Sequence, residues 1–76
     1  MQRVSVTITP DRRFYINAQR VTRDLIEIEL AKALQGKEGV VVLHIDKSVP
    51  VEYLVDVASI ATSLKAKVSI ATRPAK

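Results

Sequence analysis

Asp46 and Lys47 stand side by side at the end of an apolar run, close behind the only histidine, His44, in "LHIDKSVPVEYLVDV" (residues 43–57). An acid, a base and an imidazole so close together are raw material for proton transfer. General acid–base catalysis, however, needs a second positioned group, and nucleophilic catalysis needs an activated nucleophile. His44 falls inside a strand that reads as buried, and neither a cysteine nor a second histidine is present to complete a metal site. Neither G-x-G-x-x-G nor G-x-x-x-x-G-K occurs, and the two glycines, Gly36 and Gly39, read as members of one loop. The expectation is no catalytic, metal-ligating or cofactor-binding residue and no enzyme. His44 is then a packed strand residue, and Asp46-Lys47 a solvated loop pair or a contact surface.

The elements around these residues explain the pair without catalysis. "RVSVTIT" alternates Val4, Val6 and Ile8 with polar residues, the period of a half-buried strand. "PDRR" supplies turn chemistry and "FYIN" a short second strand, so residues 3 to 17 form a hairpin. Thr22 reads as a helix N-cap, with Asp24 in the first turn and Gly36 as the stop. Between them Ile26, Leu30, Ala33 and Leu34 share one helical face. "VVVLHI" (40–45) is apolar on both faces, as in a central strand covered on both sides or near a parallel neighbour. A second helix runs from about Pro50 to Leu64, and "KVSIAT" closes the chain as a strand. The order is β-β-α-β-α-β. It predicts a two-layer α+β fold with a small mixed sheet and both helices on one face. Pro50 suits the first turn of a helix, Val49 is pushed towards extended geometry, and Ser48 helps to cap. Asp46-Lys47 thus lie at the carboxyl end of a strand, where open α/β sheets often place ligand sites.

The second helix is wider in apolar surface than a sheet requires. Val51, Leu54, Val55, Ala58 and Ala61 share one side, and Tyr53, Val57, Ile60 and Leu64 widen the arc to roughly 220° at 100° per residue. In the first helix Leu25 and Ile28 lie away from the main apolar face. Such a surplus points to a protein partner or a second copy, unless a thin fold buries it. Tyr53, Val57, Ile60 and Leu64 form the candidate dimer face.

The sequence has 76 residues, enough for one small domain. Its net charge of +4 permits weak attraction to anionic polymers. The basic residues are scattered, though, and the only aromatics are Phe14, Tyr15 and Tyr53. A stacking surface needs aromatics among basic residues, so a small nucleic-acid-binding module is the weaker alternative. No apolar stretch is long enough to span a bilayer, and residues 1–20 do not have the charged start and apolar middle of a signal peptide.

"IDKSVPVEYLVDVASIATSLKAKVSIATRP" resembles the periplasmic domain of the ExbD/TolR family. That family's pattern is an Asp-Lys pair, a variable residue, Val-Pro, a helix and a final "AT-x-P" strand. Asp46, Lys47, Val49 and Pro50 fall on the motif, as a family marker and candidate partner surface. "VTRDLIEIEL" is similar to the family's first helix and "TPDRRFYINAQRV" to its hairpin. The sequence departs from the pattern where glycine is usual. Arg12 follows the hairpin aspartate, Ala18 follows the asparagine, and "SLKAKV" lacks the glycine before the last strand.

The resemblance implies that residues 1–76 are a single periplasmic domain of a single-pass inner-membrane protein. Its transmembrane helix, bearing an essential aspartate, lies outside this sequence and works within an ExbB/TolQ-like channel. Proton motive force is then passed on to a TonB-like partner for outer-membrane transport, with the domain dimerising and recognising that partner. The hairpin and the "ATRP" ending favour the ExbD-like branch. The alternative is a TolR-like envelope component that binds TolA or peptidoglycan. Unpaired sheet edges offer an extended partner segment a place to pair. The candidate edges carry Ser5 and Thr7 at one side and Ser69 and Thr72 at the other.

Overall fold

The computed structural model describes residues 2–36 and 38–73, with the backbone alone for residues 72 and 73. Strands β1 (Gln2–Ile8), β2 (Phe14–Ile16) and β3 (Gln19–Val21) are followed by a 3₁₀ turn, Arg23–Leu25, that leads into α1 (Ile26–Leu34). Strand β4 (Gly39–Asp46), helix α2 (Val51–Ser63) and strand β5 (Lys67–Arg73) complete the chain. The result is a mixed five-stranded sheet of order β3-β2-β1-β4-β5, with β1, β4 and β5 parallel and the β1-β2-β3 meander antiparallel.

The alternation in the sequence becomes a layer. Val4, Val6 and Ile8 of β1 lie beside Val41, Leu43 and Ile45 of β4, and all six are buried with Phe14 and Ile16 of β2. Ile26, Leu30 and Leu34 of α1 and Val57 and Ala61 of α2 close over them. The steps from β1 to β4 and from β4 to β5 run in the same direction, so crossovers of one hand put both helices on one side. The other face stays open. It carries Ser5, Thr7, Tyr15, Val42 and His44, each half-buried. The "VVVLHI" run therefore reflects two parallel neighbours and not a second covering layer.

Several sequence expectations change, the Thr22 cap of α1 among them, since Thr22 precedes a 3₁₀ turn and makes no side-chain capping bond. The meander has a third strand, β3, which carries exposed Gln19 and Arg20 and no apolar alternation to reveal it. β1 is interior, paired to β2 on one side and β4 on the other, so Ser5 and Thr7 are not on a sheet edge. Gly39 begins β4 and does not sit in a loop: a Cβ there would lie 2.7 Å from the Gln2 carbonyl oxygen and 2.8 Å from Leu34 Cδ2. Val57 is fully buried, and Tyr53, Ile60 and Leu64 pack against the core. The proposed dimer face is thus the face that rests on the sheet.

Left-handed residues other than glycine build three of the turns, and Gln35 (φ 56°) likewise ends α1. Asn17 (φ 50°) and Ala18 (φ 70°) link β2 to β3 with both residues left-handed, the geometry of a type I′ hairpin. Arg12 (φ 67°) closes the first hairpin, where its N–H donates to the Thr9 carbonyl at 2.8 Å. Lys65 (φ 62°) ends α2: its N–H donates to the Thr62 carbonyl at 2.9 Å and that of Ala66 to the Ala61 carbonyl at 3.0 Å, the paired bonds of a Schellman motif. The backbone keeps the conformation although the side chains do not favour it.

Candidate functional site

The Asp46 carboxylate, at the end of β4, accepts hydrogen bonds from the Ser48 N–H at 2.8 Å and the Ser48 hydroxyl at 2.7 Å. The Val49 N–H donates to the Asp46 carbonyl at 3.0 Å, closing the turn. Both Ser48 bonds favour the ionised form and hold the Asp46 carboxyl below its ordinary value. Val49 is buried beneath the turn, and Pro50 (φ −58°, ψ 143°) is the N-cap of α2. No side chain caps that helix; its start is defined by proline geometry and by the Tyr53 N–H donating to the Pro50 carbonyl at 3.1 Å. Asp46 is therefore a turn-forming acceptor, and Lys47 is exposed beside it. His44 sits on the open face of β4, aligned with Thr7 on one side and Ala71 on the other. No group of three His, Asp or Glu residues able to hold a metal occurs among the described residues.

What the turn positions is Tyr53. Its ring stacks on buried Phe14 of β2, with centroids 5.9 Å apart and planes at 21°. The Arg12 guanidinium carbon lies 5.7 Å from the Tyr53 centroid and that of Arg23 5.8 Å. These groups, with Arg13, Arg20, Val21 and Thr22, line a concavity of about 270 Å³. Arg13 is held by Asp11 at 3.0 Å and Arg23 by Asp56. A hydrogen bond from Thr9 and the charges of Arg13 and Arg20 hold the Asp11 carboxyl below its ordinary value. The arginines look scattered in the sequence. Folding gathers them because the β2–β3 register sets Phe14 opposite Val21, bringing residues 12–13 to residues 20–23. That pairing was the missing signal: without β3, Arg20 had no neighbour to be assigned.

A second surface lies at the opposite side of the sheet. Leu54, Val55, Ala58, Ser59, Thr62, Ser63 and Ile70 line an open groove of about 590 Å³ between α2 and β5. Val51, Val55 and Ile70 are more than half exposed, at 70%, 54% and 52%, so the apolar surplus of α2 is real but rotated from Tyr53 and Val57 towards Val51 and Val55. Leu25 and Ile28 form a smaller exposed apolar pair near the start of α1.

The two sheet edges are β3 and β5. β3 has three residues, whereas β5 has seven and brings Ser69 and the backbone of Thr72 to an open edge. The Thr72 side chain and Pro74 of the "AT-x-P" ending lie outside the described residues. No helix among those described is long and apolar enough to cross a membrane.

Comparison with known proteins matches residues 1–75 to a family model described as ExbD: Biopolymer transport protein ExbD/TolR. No curated protein matches the chain.

Proposed function

The chain belongs to the ExbD/TolR family of biopolymer transport proteins, and from that premise we propose that it is the periplasmic domain of an ExbD-like inner-membrane protein that transmits proton-motive energy to a TonB-like partner. The observation that carries the reading is β5. It is a seven-residue edge strand with one side unpaired and an apolar groove alongside it. Short or charged strands guard an edge, and β3 with its three residues and exposed Arg20 fits that description. β5 does not. An extended segment that adds to β5 would gain backbone hydrogen bonds from the strand and selectivity from the Val55–Ile70 groove. The domain is on this reading a recognition element, with the channel-forming partner engaged through a segment outside these residues.

The same groove, with exposed Val51 near the start of the helix, supports self-association through Val55 and Ile70 in place of the buried Val57. A substitution such as Val55→Glu then removes the dimer in sedimentation while leaving the fold intact.

Titration of the ¹⁵N-labelled domain with the periplasmic segment of a TonB-like protein tests the proposal. Amide shifts along Lys67–Ala71 and the facing residues of α2 are expected. Shifts confined to Leu25 and Ile28 would mean that the partner uses a helical face and that edge pairing is wrong. Binding of a TolA-like segment or of peptidoglycan in its place would move the chain to the TolR-like branch.

A further inference from the structure

We infer that the concavity around Tyr53 is a second recognition site, taking the carboxylates of an acidic peptide segment. Four arginines surround it, yet among the described residues only Arg13 and Arg23 form salt bridges, each with one of the chain's own carboxylates. Those pairs display the chemistry that the site accepts. Among the described residues Arg12 and Arg20 line the same space without a salt bridge, Arg20 acting on Asp11 only through its charge. A planar guanidinium presents a fork of donors that matches a carboxylate, which a lysine ammonium does not. Stacking on Tyr53 holds the Arg12 fork in place before a ligand arrives, so less side-chain freedom is lost on binding.

The surroundings choose among anionic partners. The Tyr53 ring already carries Phe14 and two guanidinium groups, which leaves little of it for a nucleobase. The four guanidinium groups are exposed, so a flat anionic lipid surface reaches them as well, and the comparison with vesicles tells it apart from a peptide. An extended chain with spaced carboxylates reaches both Arg12 and Arg20. The site lies beside β3, at the far side of the sheet from β5. It is therefore independent of edge pairing at β5, and either can fail alone.

The probe is an acetylated, amidated octaglutamate peptide added to the ¹⁵N-labelled chain, with octaglutamine as the neutral control. Octaglutamate should shift the amides of Arg12, Arg13, Arg20–Arg23 and Tyr53 and leave Lys67–Ala71 unmoved, and octaglutamine should shift neither. The double variant Arg12→Gln, Arg20→Gln should bind octaglutamate roughly tenfold more weakly while keeping the dispersed amide spectrum of the folded domain. The charge-conserving pair Arg12→Lys, Arg20→Lys should lose most of the same affinity, because the fork and not the charge is recognised. Full affinity in the lysine pair would overturn the site. So would shifts spread evenly over the basic surface, or tighter binding of oligothymidylate or of vesicles of equal phosphatidylglycerol and phosphatidylcholine.

Discussion

Ala18→Gly should make the protein more stable, contrary to the usual effect of introducing glycine. Ala18 is held at φ 70°, directly after Asn17 at φ 50°. A left-handed L-residue costs about 1–2 kcal/mol through the clash of its Cβ with the following carbonyl. Glycine removes that cost and adds about 0.4–1 kcal/mol of backbone freedom to the unfolded chain. The difference is a net gain of roughly 0.5–1 kcal/mol, or about 2–8 °C in Tm for a domain of this size. The turn itself should not move. Asn17 anchors it, since the Ser5 N–H donates to Asn17 Oδ1 at 3.1 Å and the Asn17 N–H donates to the Ser5 carbonyl at 2.9 Å. Asn17→Gly serves as the contrast: asparagine tolerates the left-handed region, so little strain is relieved while the Oδ1 acceptor is lost, and it should bring no gain. Urea unfolding and calorimetry of both variants read the difference directly. A lower midpoint for Ala18→Gly, or a larger gain for Asn17→Gly, would refute the strain argument.

Gly39→Ala should destabilise by about 1–3 kcal/mol, because the added methyl meets the rigid Gln2 carbonyl and Leu34 together; urea denaturation reads the loss. Pro50→Gly should cost about 1 kcal/mol by loosening the unfolded chain at the start of α2, measured in the same way. Asp46→Asn should flatten the acid limb of the stability curve. The folded carboxyl lies below its ordinary value of 3.8, so the stability it contributes is fully present above that value and fades as pH falls through the lower folded value. Circular dichroism between neutral pH and pH about 2 should show the wild type losing more of its stability than the variant across that window.

Much of the fold could be read because its periods were clean. The Val4-Val6-Ile8 alternation and the Ile26-Leu30-Leu34 face reappear as read, and α2 begins after Val49-Pro50 as expected but with Pro50 as the N-cap and without the Ser48 cap. β3 escaped because three residues at an exposed edge carry too few apolar positions to show a period. The contact face of α2 was misassigned for a different reason. Where apolar residues cover so wide an arc, periodicity does not say which part meets the sheet, and the packing that buries Val57 and exposes Val55 is tertiary. The interior position of β1 depends on a crossover and on no property of residues 2–8. The arginine cluster around Tyr53 is likewise a product of strand register, since Arg12 and Arg13 meet Arg20 and Arg23 only through the β2–β3 pairing.

The most direct test of the recognition role is site-specific photocrosslinking from β5 in the full-length protein, in energised cells. A photoreactive residue at Ser69 should capture a TonB-like protein, with a yield that changes when the proton motive force is collapsed. The same probe at Thr7, on the interior strand β1, should capture little. A Ser69 probe that yields no partner, or a Thr7 probe that yields it equally well, would contradict the assignment of β5 as the partner-binding edge.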